Sequence, residues 1–299
     1  MNGETKKLKN GAFIYEDHDG VIPYGHDFYI DNFPKLIREL DSLYTATRDI
    51  DYLSDKGYVL TIQGKYQQAL QIYFKIEQLE PNRYSTASNV GTIYELLGDY
   101  QKALFWISKA IRLNPKSHMG SEWLHLKILE AKIGGTKYVN SNFLLNTNFG
   151  NLEEPTSTLS KAQRKALINS LYFQLNERLS FIKTEDPIIG ILLFELGNLV
   201  FLEKNYHDAK QIYYKARDYG YDTLPLRERI DLASNMLLLE LRKENHQLFL
   251  HNIYHQNVFV ITLTLASIVI CTLSITLWRL RKKYRTLSKR LVDEKSDVV

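Results

Sequence analysis

Apolar residues recur three and four positions apart along most of this chain, in segments separated by short polar turns. This spacing predicts amphipathic helices that bury one face. Helices of this kind are predicted across residues 34–250, with an insertion loop near residues 136–160 that is rich in Asn, Thr, Ser and Pro. Residues 1–33 follow no clean period, and we expect an irregular N-terminal leader that packs on the first helix.

Part of the helical region repeats itself at an offset of 34 residues. Five residues recur in register: Gly57, Gly64, Tyr66, Ala69 and Pro81 return as Gly91, Gly98, Tyr100, Ala103 and Pro115. A fixed period of this length is the signature of stacked helical hairpins. We expect the first glycine of each repeat to allow a close helix crossing opposite the repeated alanine. The second glycine should end the first helix in a left-handed conformation.

The repeated positions resemble the tetratricopeptide repeat (TPR) family, whose pattern is a small residue, an aromatic, a second small residue and a closing proline. The second repeat carries this pattern at Gly91, Tyr94, Tyr100, Ala103, Ala110 and Pro115. A third match has the same internal spacing at Gly197, Tyr206, Ala209, Tyr213 and Ala216. It departs from the pattern with Lys204 and Asn205 at the turn and no closing proline. The resemblance implies an all-α array of TPR-type helical hairpins, an α-solenoid.

The resemblance also implies a peptide-binding groove built by the first helix of each hairpin. The positions that the family pattern places there are Ser54, Tyr58, Thr61, Ser88, Asn89, Thr92, Glu95 and Asn198. Some TPR domains hold a partner's C-terminal carboxylate with Lys, Asn and Arg, but here the basic members are absent. The resemblance therefore implies another protein or peptide ligand, extended or helical in form. The alternative is that this face is only solvated.

Residues 258–278 contain no charged side chain and, as a helix, are about 30 Å long, which is the thickness of a bilayer core. We expect a single transmembrane helix there, followed by a basic tail at residues 279–299. The predicted membrane-interface residues are Trp278, Arg279, Arg281, Lys282 and Lys283. Seven Lys and Arg residues lie between Arg279 and Arg290, and the rest of the chain is slightly acidic. The net charge of +4 is thus a property of the tail and does not indicate a nucleic-acid partner.

The charge asymmetry around this segment predicts a cytoplasmic C-terminal tail and repeats on the opposite side. That topology requires an export signal, and the first 20 residues lack the apolar stretch of a secretory signal. We expect either that the true start lies upstream or, as the alternative, that the protein is tail-anchored with its repeats in the cytosol.

No catalytic constellation, nucleotide-binding loop or cofactor motif is evident in the sequence. The single cysteine, Cys271, excludes an intrachain disulfide. His251 and His255 have helical spacing but lack a third ligand, so we predict no metal site. The expected function is that of a membrane-anchored, non-enzymatic protein-binding scaffold of bacterial type. Two alternatives remain open: a sensory or signalling component that resembles the repeat and transmembrane half of bacterial sensors, and a tail-anchored organelle adaptor.

Overall fold

The computed structural model describes residues 5–296, with the side chains of residues 6–286, and the chain divides into two units. The first unit ends at Leu237 and the second begins at Leu238. The described residues form eleven α-helices and three short strands. In chain order these are β1 (Thr5–Lys7), β2 (Phe13–Glu16), β3 (Asp27–Phe28), α1 (Phe33–Thr47), α2 (Ile50–Ile62), α3 (Tyr66–Leu79), α4 (Tyr84–Leu96), α5 (Tyr100–Leu113), α6 (Glu122–Gly134), α7 (Ser141–Leu145), α8 (Lys161–Phe181), α9 (Pro187–Leu202), α10 (Tyr206–Asp218) and α11 (Leu224–Ser296).

The repeated sequence forms helical hairpins, as predicted. Helices α2 and α3, α4 and α5, and α9 and α10 pack against each other in pairs. At the turns, Gly64 and Gly98 have φ angles of 71° and 79°, which confirms their left-handed conformation. Helices α3 and α5 end at Leu79 and Leu113, shortly before the repeated prolines. The array is therefore an α-solenoid of TPR-like hairpins.

The close crossing within each hairpin is made differently from the prediction. The atoms nearest to Gly57 belong to the ring of Tyr73, and a Cβ on this glycine would lie 2.7 Å from Tyr73 Cζ. Ile107 takes the same place opposite Gly91, and Tyr213 takes it opposite Gly197. The residue that faces each glycine is thus a large side chain 16 positions later, not the repeated alanine. A missing side chain on one helix makes room for a buried large one on the next.

The leader, for which the sequence predicts no regular structure, forms a three-stranded antiparallel sheet in the order β1–β2–β3. The strands are only two to four residues long, too short for a visible alternation of apolar and polar positions. Ile14 and Tyr15 of β2 are buried together with Leu36 and Leu40 of α1. This apolar cluster holds the sheet on the first helix.

The insertion near residues 136–160 is partly helical, with a 3₁₀ turn at Thr136–Tyr138 followed by α7. The remainder is held by Arg229 of α11, whose side chain is fully buried. Its guanidinium donates hydrogen bonds of 2.8 Å to Gly150 O and 2.9 Å to Leu152 O. A buried guanidinium needs such acceptors because losing its hydration is costly. The loop is therefore packed against the array.

The second unit consists of the part of α11 from Leu238 onward. This helix is long and apolar enough to cross a membrane, with a mean hydropathy of 2.5 over its most apolar window. The side chains of the predicted span are exposed, and at its C-terminal end Lys282 Nζ lies 5.4 Å from the ring centroid of Trp278. Of the predicted basic tail, residues 297–299 lie outside the described residues.

The α9–α10 turn allows a test of how the repeats are closed. Lys204 occupies the position that is glycine in the first two repeats, and its φ of 64° is left-handed. Because a side chain disfavours this conformation by roughly 1–2 kcal/mol, we predict that Lys204→Gly raises the free energy of unfolding by about 1 kcal/mol. Urea denaturation followed by circular dichroism measures the change. Gly98→Ala serves as the opposite control and should lower stability by a similar amount; equal effects of the two substitutions would contradict the account.

Candidate binding groove

Helices α2, α4 and α8, a 3₁₀ turn at Ser117–Gly120 and the leader enclose a groove in the first unit. The groove consists of two adjoining cavities open to solvent, with volumes of about 850 Å³ and 460 Å³. The residues common to both cavities are Ser88, Thr92, His118, Glu177 and Phe181. The two cavities therefore form one continuous surface.

The wider cavity is lined mainly by hydroxyl, amide and aromatic side chains. Its uncharged polar residues are Ser54, Ser85, Ser88, Asn89 and Thr92, and its aromatic residues are Tyr15, Tyr58, Tyr84 and Phe181. Lys6, Asp55 and Glu177 add charge. Aromatic rings provide apolar contact area, while hydroxyl and amide groups can bond a peptide backbone.

The structure brings together six of the eight residues predicted for the groove. Those that line the wider cavity are Ser54, Tyr58, Ser88, Asn89 and Thr92. Glu95 lines the narrower cavity. The family pattern placed these residues on first helices, and α2 and α4 present them to one space.

Thr61 and Asn198 do not lie in the groove, which corrects the sequence prediction. Thr61 is 5% exposed, and its hydroxyl donates a 2.9 Å hydrogen bond to Gly57 O one turn earlier. Asn198 is fully buried, donates to Glu195 Oε2 at 2.7 Å and accepts a hydrogen bond from the Tyr213 hydroxyl at 2.9 Å. Its carbonyl oxygen also accepts from Arg229. These polar groups serve the packing of the helices and are not available to a ligand.

Glu95 is a buried partner in an ionic cluster on the wall of the narrower cavity. Its Oε2 lies 2.7 Å from His125 Nε2 and 3.2 Å from Arg178 Nη2, and its Oε1 lies 3.5 Å from Lys132 Nζ. Burial alone would raise the pKa of Glu95, but the positive charges of Arg178, His125 and Lys132 lower it well below its ordinary value. Glu95 is therefore ionised and bound to α6 and α8.

A second buried carboxylate, Glu122, orders the 3₁₀ turn beside the groove. Its Oε1 lies 2.8 Å from His118 Nδ1 and accepts a 3.0 Å hydrogen bond from the Tyr84 hydroxyl. Burial acts to raise the pKa of Glu122, but His118 and His125 lower it well below its ordinary value. Burial and the charge of Glu122 raise the pKa of Tyr84 to about 12, so this phenol stays neutral and donates.

The leader reaches across to α8 and is fastened there by backbone and side-chain contacts. Gly25 N–H donates to Asn176 Oδ1 and His26 N–H donates to Ser180 Oγ, both at 2.8 Å. The buried ring of His26 lies between Asp17 and Glu177, with Nε2 3.2 Å from Glu177 Oε1. Burial lowers the pKa of His26, but the two carboxylates outweigh that effect and raise it. We call residues 25–26 with their contacts on α8 the clasp.

The histidine pair of the sequence analysis lies elsewhere, in the second unit. The rings of His251 and His255 are exposed, and their centroids are 4.3 Å apart. Within the described part of the chain, no group of three or more His, Cys, Asp or Glu residues is arranged to hold a metal ion.

Comparison with known proteins matches residues 86–117 to the tetratricopeptide repeat family. MamA from Desulfovibrio magneticus RS-1 has a similar structure, with 14% identity over 64% of this chain and 89% of that chain and a TM-score of 0.36. A TPR protein from Parabacteroides merdae ATCC 43184 has 14% identity over 68% of this chain and 92% of its own, with a TM-score of 0.34. For a TPR protein of Thermus thermophilus the identity is 15%, the shares are 69% and 91%, and the TM-score is 0.35. No curated protein matches the chain.

The clasp can be tested at Gly25, which lies directly against the backbone of α8. A Cβ there would be 2.6 Å from Leu179 C, and the φ of 82° disfavours any side chain. We predict that Gly25→Ala releases the leader, lowers stability by about 2 kcal/mol and speeds tryptic cleavage at Lys6 and Lys9. Gly20→Ala is the matched control, because its φ is 118° but its Cβ would meet no atom within 4 Å. Equal cleavage rates in both variants would contradict the clasp.

Proposed function

Because this chain belongs to the tetratricopeptide repeat family, we propose that its groove binds a segment of a protein partner and that the protein acts as an interaction scaffold. The observation that carries the proposal is the convergence of Ser54, Tyr58, Ser88, Asn89 and Thr92 on one cavity. A groove of this polarity suits an extended or helical peptide, whose backbone needs hydrogen-bond partners and whose side chains need apolar contact.

The proposed role is non-enzymatic. The strongly acidic and basic groups in the wall of the narrower cavity are bonded to one another: Glu95 with Arg178 and His125, and Glu122 with His118. Groups held in this way stabilise the wall and hold their protons at neutral pH, whereas a general acid or base must exchange its proton with a substrate. A binding role fits this arrangement better than catalysis does.

We also propose that residues 258–278 anchor the scaffold in a membrane as a single-pass helix, with the basic tail in the cytoplasm. The apolar length of α11 and the Lys and Arg residues that follow the span support this arrangement. Anchoring would raise the effective concentration of the groove for partners in the same membrane.

Site-specific photo-crosslinking tests the groove. A benzophenone amino acid at Asn89, which lines the wider cavity, should crosslink a discrete protein in intact cells. Thr92→Arg should abolish that product, because the long side chain fills the cavity beside Ser88. Gln68→Arg on α3 is the matched control, since Gln68 is exposed and lies outside the groove. A product that persists in Thr92→Arg, or that forms equally from a crosslinker at Gln68, would reject groove binding.

Alkaline carbonate extraction tests the anchor. The unmodified chain should stay in the membrane pellet. Replacing Ile268 and Ile270 by Arg should move the protein to the soluble fraction, because two arginines at the centre of a span cost about 6 kcal/mol. Leu239→Arg with Leu241→Arg, on the same helix but outside the predicted span, should leave extraction unchanged. Loss from the pellet in both variants alike, or in neither, would contradict the anchor.

A further inference from the structure

The charges that line the groove do not balance among themselves. Glu95 and Arg178 form an ion pair and cancel. Asp55, Glu177 and Lys6 are the other Asp, Glu, Lys and Arg residues in the described lining. The acidic pair exceeds the single lysine, so the wider cavity favours a cationic ligand.

Asp55 is the carboxylate with the least compensation. Its Oδ2 accepts a 2.6 Å hydrogen bond from the backbone N–H of Lys9, and among the described side chains no cation lies within ion-pair distance of it. Burial raises the pKa of Asp55 above its ordinary value, an effect that the Lys9 hydrogen bond and the charge of Lys6 only partly oppose. A partly buried carboxylate without a cation gains stability when a ligand supplies one.

Tyr58 places an aromatic ring beside this carboxylate, and both residues line the wider cavity. The chain itself puts a cation there, since Lys6 Nζ lies 6.0 Å from the centroid of the Tyr58 ring. That distance is at the outer limit of a cation–π interaction, and Lys6 is exposed, so the contact is weak. Lys6 thus marks where an ammonium group fits without filling the site well.

The element that carries Lys6 is easy to displace. Strand β1 has three residues, lies at the edge of the sheet and pairs with β2 alone, with a register shift between Lys6 and Lys7. An edge strand of this length contributes few backbone hydrogen bonds. A partner segment could therefore take over the position of Lys6 while the clasp holds the rest of the leader.

We propose that the partner presents a Lys or Arg side chain to Asp55, Glu177 and the ring of Tyr58, in the position that Lys6 of the leader approaches in the free protein. The ligand class is a basic, extended peptide segment, and Lys6 acts as a weak internal competitor. This inference rests on the proposed groove function.

Selection from a displayed random library of linear peptides tests the inference, with the full chain in detergent micelles as bait. Peptides retained by the unmodified chain should be enriched in Lys and Arg, and replacing the enriched residue by norleucine should weaken binding about fivefold. Asp55→Asn keeps the hydrogen-bond acceptor for Lys9 but removes the charge, and should abolish the enrichment. Lys6→Gln should increase retention, while Asp231→Asn, at an exposed position of α11, should behave as the unmodified chain.

The outcomes separate this inference from the groove function. Retention that Thr92→Arg abolishes, but without Lys or Arg enrichment or with enrichment unchanged in Asp55→Asn, would overturn the cationic site and leave groove binding intact. Retention that does not depend on Thr92, or no retention at all, would overturn both.

Discussion

The clasp between the leader and α8 is the contact on which the groove depends. It joins positions about 150 residues apart, since Gly25 and His26 bond to Asn176 and Ser180. The leader also shares an apolar cluster with α1, so the chain is fixed at both sides of the groove. Glycine is required at position 25 because its backbone meets the backbone of α8 with no room for a Cβ. Without this contact, Tyr15 and Lys6 would not line the cavity.

The wall of the groove is held by charges that are removed from water. Glu95 on α4, His125 on α6 and Arg178 on α8 are each less than a tenth exposed and are bonded together. Removing one partner from such a cluster leaves an uncompensated buried charge and costs about 3–5 kcal/mol. The cluster therefore sets the separation of three helices, while the uncharged residues of α2 and α4 remain free to contact a ligand. Framework and binding surface are carried by different side chains.

The repeats could be predicted from the sequence because the glycine and proline positions that define each hairpin lie within one short period. Ser88 and Thr92 were placed correctly for the same reason, since their direction follows from helix geometry alone. Asn198 could not be placed, because its burial depends on Arg229, which lies beyond the repeat pattern. The clasp left no signal in the leader, as Gly25 has no periodic neighbours. Contacts between distant segments were missed, whereas contacts within a hairpin were found.

The central claim, that the leader is fastened to α8 and completes the groove, is tested most directly by amide hydrogen exchange at single-residue resolution on the full chain. The N–H groups of Gly25 and His26 donate to side chains of α8, so they should exchange as slowly as the N–H of Tyr29, which donates to Ile14 O within the sheet. Asn176→Ala should speed exchange at Gly25 while leaving Gly64 N–H, in the first repeat, unchanged. Exchange of Gly25 and His26 at the rate of an unprotected loop would contradict the account.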